Sequence, residues 1–212
     1  MVNKRRWKKK LRRFLRRLRK VKKEVWITAG GIAFALILIL IAWNRPAVNP
    51  AKFQRYQKKL PCEEIEVCAD SSGKTYEDYR MITDPTSAQY RLIHESLKID
   101  RKTGFLYDRD GFLAVALGYQ FGKVGSRYYV TLDTGIILPV IKTDEKDPKD
   151  ASDGCAVDIN GTVLEFVIDA KAALHYFGTI TNGLILDGNY NNSPYFRGKI
   201  ARMERVTDRT EP

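Results

Sequence analysis

The stretch Arg127-Tyr-Tyr-Val-Thr-Leu-Asp-Thr-Gly-Ile-Ile-Leu-Pro-Val-Ile141 decides the fold class. Two runs rich in β-branched and aromatic residues, Arg127–Leu132 and Ile136–Ile141, flank Asp133-Thr134-Gly135. A short glycine-containing turn between such runs is a β-hairpin signal. Further strand signals surround it at Phe112–Leu117, Thr162–Ile168 and Lys199–Val206. Asn160-Gly161 supplies turn chemistry before the most apolar of these runs. Helical signals are few and short. Asp84-Pro85-Thr86-Ser87 reads as a helix start before Ala88–Leu97, and Asp169–Leu174 reads as a short capped helix. The expectation for residues 81–206 is therefore a mainly β domain, a small barrel with one or two short helices.

Upstream, the chain has a different texture. Fourteen of the 37 Lys and Arg fall within residues 1–24 beside a single acid, Glu24, a net charge of +13. The remaining chain sums to −1, so the overall +12 belongs to the tail and gives no reason to expect the domain to bind nucleic acid. Val25–Trp43 then runs 19 residues without a charge, with Trp26 and Trp43 near its ends. A helix of that length rises roughly 28 Å, close to the hydrocarbon thickness of a bilayer. The reading is a transmembrane helix at 25–43, preceded by a cytoplasmic tail at 1–24. An extracytoplasmic stalk at 44–80, the β domain at 81–206 and a terminal tail at 207–212 follow. The excess of Lys and Arg on the N-terminal side sets that orientation. Trp7, Leu11, Phe14, Leu15, Leu18, Val21 and Val25 recur at helical spacing, which predicts a cationic amphipathic helix on the anionic inner leaflet of a lipid bilayer.

Three cysteines are present. Cys62 and Cys68 are candidates for a disulfide closing a small loop, and Cys155 reads as a packed free thiol. His94 and His175 stand apart, without a close-spaced Cys/His set, so neither a metal site nor any other cofactor is expected. Tyr176, Phe177, Tyr190, Tyr195 and Phe196 cluster late in the chain. They suit either stacking on sugars or plugging a barrel end.

Several segments resemble the membrane-anchored outer domains of Gram-positive bacteria and their mobile elements. They are Asp84-Pro-Thr-Ser-Ala-Gln-Tyr-Arg-Leu92, Phe112-Leu-Ala-Val-Ala-Leu-Gly118, Val124-Gly-Ser-Arg-Tyr-Tyr-Val-Thr-Leu-Asp-Thr-Gly135, Val140-Ile-Lys-Thr-Asp144 and Asn160-Gly-Thr-Val-Leu-Glu-Phe-Val-Ile-Asp169. The likeness is to small double-psi β-barrels, the group of the three-aspartate ("3D") domain, rare lipoprotein A and the expansins. It spans about 120 residues, the length of the expected domain. It implies contact with cell-wall glycan, and an acidic residue at a strand end that protonates the glycosidic oxygen. The matching position is Asp144, with Asp158 and Glu165 as candidate second acids. The Asp-Thr-Gly-Gly signature of the three-aspartate domain is absent around Asp144, and Asp133-Thr134-Gly135 falls in the hairpin turn. Two functions are thus expected: an outer domain that binds or remodels peptidoglycan, by a lytic transglycosylase or glycosidase-like activity if it is an enzyme, or a non-enzymatic component docking envelope proteins in division, secretion or conjugation.

Overall fold

Side chains alternate along the central strands, and this builds a core enclosed on two sides. In a computed structural model of the chain, residues 7, 10–14, 23–43, 45–68, 71–177 and 189–207 are described. They divide into two units, Met1–Arg45 and Pro46–Pro212.

The second unit is strand-rich: β1 (Cys62–Ile65), β2 (Lys74–Asp78), β3 (Lys98–Ile99), β4 (Leu106–Tyr107), β5 (Leu113–Leu117), β6 (Arg127–Leu132), β7 (Ile137–Glu145), β8 (Leu164–Ile168) and β9 (Ile200–Val206). The expected hairpin is β6–β7, antiparallel, with Tyr129 opposite Pro139. The remaining pairings make one mixed sheet in the order β1-β9-β6-β7-β5-β4-β3, with β8 joining β5 to β2. Two pairs are parallel, β5 with β7 and β2 with β8. The sheet curls. The Ile200 N–H at the start of β9 donates to the Ser71 carbonyl ahead of β2 at 3.1 Å, so the two ends of the series β2-β8-β5-β7-β6-β9 meet.

Inside the curl, Val115, Leu117, Tyr128, Val130, Leu138, Val140, Leu164, Phe166 and Met203 form the main core. Every second residue of β5, β6 and β8 points there, as the period of two requires. Phe105, Phe177, Tyr190 and Phe196 pack around Phe166 with ring centroids 5.0–6.4 Å apart. The late aromatic cluster therefore plugs the core, although Tyr176 stays exposed. Ala114, Ala116 and Val167 face the other way and are covered by Ile93 and Leu106. Ile93 lies in the π-helical turn Leu92–Ser96 that continues α2 (Ala88–Arg91). The helix is capped by Ser87, whose Oγ accepts from Tyr90 N–H at 3.1 Å, and not by Asp84. A third helix, α3 (Ala170–Phe177), begins beside Asp169, whose Oδ1 accepts from Ala172 N–H.

Three expectations need correction. First, residues 46–80 are not a stalk: they belong to the second unit, where Val48 and Phe53 are buried and β1 and β2 are paired strands. The tertiary pairing of β2 with β8 is non-local, so turn residues around it read as a linker.

Second, the membrane anchor is not supported. Helix α1 (Lys23–Trp43) is 21 residues long and opens with a lysine and a glutamate. Among the described residues no helix is long and apolar enough to cross a membrane. A single-pass topology, and the sidedness that depends on it, are therefore not supported. What is observed is an apolar helix with exposed side chains, from Ile27 at 65% to Trp43 at 80% exposure. Of the expected amphipathic tail, Trp7, Leu11 and Phe14 are helical and exposed, while Leu15, Leu18 and Val21 lie outside the described residues.

Third, the disulfide joins Cys68 to Cys155, with Cα atoms 6.2 Å apart, and Cys62 is the free cysteine. The bond links the segment before β2 to the β7–β8 connection, a sequence separation of 87 residues. A loop that long loses on the order of 4–5 kcal/mol of chain entropy when closed in the unfolded state, in the chain-entropy account. The sequence favoured the near pair because proximity along the chain was the one visible cue. Replacing Cys155 with Ala is expected to lower unfolding free energy by about 2–5 kcal/mol in chemical denaturation. Cys62→Ser should change it little, and added reductant should abolish the difference between wild type and Cys155→Ala.

Candidate active site

Ala116, in the middle of β5, has an acidic residue on each neighbouring strand. It pairs with Glu165 on β8 and with Asp144 on β7. The second pairing depends on an irregularity. Val115 pairs with Lys142, yet the next residue, Ala116, pairs with Asp144, so Thr143 is an extra residue in β7. The Thr143 hydroxyl donates to the Val115 carbonyl at 3.2 Å and holds this bulge. In an unbroken ladder Asp144 would fall opposite Leu117, whose side chain lies in the main core. The extra residue instead aligns it with Ala116 on the opposite face; re-aiming a side chain in this way is a recurrent use of bulges. Ala116 has a single methyl group, which leaves space above it for two carboxyl groups to approach.

A third acid completes the cluster. Glu77 lies on β2 opposite Val167, and Thr75 lies opposite Glu165. Tyr76 packs toward the main core, so Glu77 points to the Ala116 side. Its carboxyl is pushed up from 4.5 to about 8, first by burial and then by the negative charge of Asp144 and Glu165, with a hydrogen bond to Asp144 contributing. Glu77 Oε1 is buried and makes no hydrogen bond. The Glu165 carboxyl is also raised, chiefly by burial, with Lys146 opposing the shift and Thr75 hydrogen-bonding to it. The apolar patch of Ile93, Ala114, Ala116 and Val167, with Tyr79 and Ile82 at its margin, supplies the low-dielectric surroundings behind both shifts.

Lys146 is the cation of the site. It is buried, its N–H donates to the Leu117 carbonyl at 3.2 Å, and its Nζ donates to the Thr162 carbonyl. Burial lowers its ammonium from 10.5 to about 8, against the attraction of Glu165 and Asp153. Lys142, two residues before Asp144, takes no part: its Nζ is caged by the carbonyls of Gly118 at 2.9 Å and Gly122 at 2.7 Å and by Glu145 at 2.7 Å.

Of the acids singled out in the sequence, Asp144 and Glu165 are brought together and Asp158 is not. Asp158 is exposed and accepts from the hydroxyl of Ser152 at 3.1 Å and from its N–H, a local clasp of the β7–β8 connection. Asp133 likewise serves the hairpin turn, accepting from Lys199 N–H at 3.0 Å. Glu77 and Lys146 were missed. The alternation in Lys74-Thr75-Tyr76-Glu77-Asp78 is a strand signal obscured by the turn residues before it, while Lys146 stands in a run of acids that reads as solvated loop.

Among the described residues, no group of three or more His, Cys, Asp or Glu is arranged to hold a metal ion. The disulfide removes Cys155 from consideration as a thiol nucleophile. No family model, curated protein or solved structure matches the chain.

The two shifted groups act on stability in separate pH windows. Between about 4.5 and 8 the folded chain holds a proton on Glu77 that the unfolded chain has released, so stability falls as pH rises there, by at most about 1.4 kcal/mol per unit. Between about 8 and 10.5 the unfolded chain holds a proton that folded Lys146 has lost, so that contribution makes stability climb with pH. Denaturation midpoints of Glu77→Gln should lose the first slope, leaving the variant more stable than wild type at pH 8 but not at pH 4. Lys146→Met should lose the second.

Proposed function

We propose that the second unit binds cell-wall glycan and cleaves it by acid catalysis at the Glu77–Asp144–Glu165 cluster. The supporting observation is the convergence of carboxyl groups from β2, β7 and β8 over Ala116, with one of them holding its proton near neutral pH. Glycosidic cleavage needs one carboxyl able to give a proton to the leaving oxygen, and a second, ionised one to answer the positive charge that develops on the sugar ring. Two carboxyl groups that repel each other in a partly dry site divide these roles without further machinery, because both cannot ionise together.

Glu77, held protonated by burial and by the charge of Asp144 hydrogen-bonded to it, gives the proton. Glu165, where the charge of Lys146 opposes the upward push of burial, is the second acid facing the oxocarbenium-like state. The resemblance to wall-directed barrels through Val140–Asp144 and Asn160–Asp169 points to the same substrate class, and those two segments carry Asp144 and Glu165.

The test is to incubate the full-length protein with purified peptidoglycan, measuring sedimentation with the polymer and release of soluble fragments. Wild type is expected to do both. Asp144→Asn and Glu77→Gln should keep binding and lose on the order of 100-fold or more in release, the size of a general-acid contribution. Co-sedimentation without release would leave a glycan-binding unit and remove the catalytic part of the reading. Absence of both would overturn it.

A further inference from the structure

Another cleft lies apart from the acid cluster in chemistry and in the residues that build it. Ile65 at the end of β1, Glu66 and Cys68 just after it, Gln120 and Phe121 from the turn after β5, and Arg205 near the end of β9 line a cavity of about 450 Å³. That volume falls within the range of small-ligand sites. The wall is held by covalent and hydrogen-bonded ties. Cys68 is bonded to Cys155, the Gln120 N–H donates to the Gly154 carbonyl at 3.2 Å, and the Tyr128 hydroxyl donates to the Phe121 carbonyl.

Arg205 is the cation of a lining that also includes the exposed Glu66. Its guanidinium lies over the Tyr128 ring, 6.0 Å from the centroid. Its Nε is buried with no hydrogen-bond partner. Among the described residues, none of the ion pairs includes Arg205, although Lys58, Arg80, Arg109, Arg127, Lys142 and Arg202 each have a carboxylate partner. A guanidinium that lines a cleft without a carboxylate partner is a place for an anionic ligand group. Planar guanidinium groups match carboxylates in two-point geometry. Gln120 is exposed and offers both an amide donor and an acceptor, while the half-buried Ile65 supplies an apolar surface.

We infer that this cleft binds a small peptidic carboxylate, a free peptide C-terminus with a short apolar side chain. Arg205 takes the carboxylate, Gln120 takes the neighbouring amide, and Ile65 takes the side chain. The inference does not depend on the glycan reading, since none of these residues belongs to the acid cluster.

The experiment is isothermal titration of the full-length chain with N-acetyl-alanyl-alanine and, separately, with its C-terminal carboxamide. The carboxylate should bind saturably, the carboxamide at least tenfold more weakly. Arg205→Gln should lose binding, Arg205→Lys should retain part of it, and Gln120→Ala, on an exposed turn, should weaken it severalfold with an unchanged thermal melt. Equal binding of acid and amide, undiminished binding by Arg205→Gln, or no binding of the acid at millimolar concentration would each overturn the proposal. Should Arg205→Gln fail to fold, the acid-to-amide ratio and Gln120→Ala decide the matter alone.

Discussion

The extra residue in β7 is the constraint on which the candidate site depends. Thr143 is accommodated by a bulge opposite Val115 and Ala116, and the strand on either side of it obeys different alignments. Before it, Lys142 lies opposite Val115 and its Nζ is caged by backbone carbonyls. After it, Asp144 aligns with Ala116, where Glu165 approaches from the other side. A one-residue change of register moves a side chain to the opposite face of a sheet, so one inserted residue decides whether an acid lies in the core or in the cluster. The site is a product of strand register more than of any local sequence motif.

Burial then determines what the cluster can do. Three carboxyl groups in water would all be ionised at neutral pH and would act only as a patch of negative charge. Beside the apolar cover of Ile93 and Val167 they cannot all ionise, and Glu77 is driven upward by burial and by its neighbours together. Lys146 offsets part of the repulsion at Glu165 while being itself pushed toward neutrality. The same features that make the cluster chemically capable make it costly to fold, a common accompaniment of functional sites. The disulfide adds stability nearby: it fastens the segment leading into β2, which carries Glu77, to the connection that begins at Lys146.

Much of the strand content was legible in the sequence because its signals are local. The hairpin β6–β7 follows from two β-rich runs and a glycine turn, and β5, β8 and β9 from apolar runs with turn residues between them. Asp144 and Glu165 were reached through resemblance at strand ends. What could not be read was non-local. The parallel pairing of β2 with β8 turned an expected stalk into a central strand and brought Glu77 to the site. The partner of Cys68 lay 87 residues away, beyond any spacing rule. Lys146 was hidden because composition describes a loop by its average, and this loop buries its one important cation. For the N-terminal segment the failure ran the other way. Uniform apolarity over Val25–Trp43 was taken as a complete membrane span, and no helix among the described residues meets that requirement.

The central claim is that Glu77 holds its proton near neutral pH, raised in part by the charge of Asp144. Carboxyl carbon chemical shifts, followed by NMR from pH 3 to 10 in wild type and in Asp144→Asn, measure it directly. The account predicts a Glu77 midpoint near 8 in the wild type, shifting downward when the Asp144 charge is removed. A Glu77 midpoint close to the ordinary glutamate value of about 4.3, unchanged in Asp144→Asn, would contradict it.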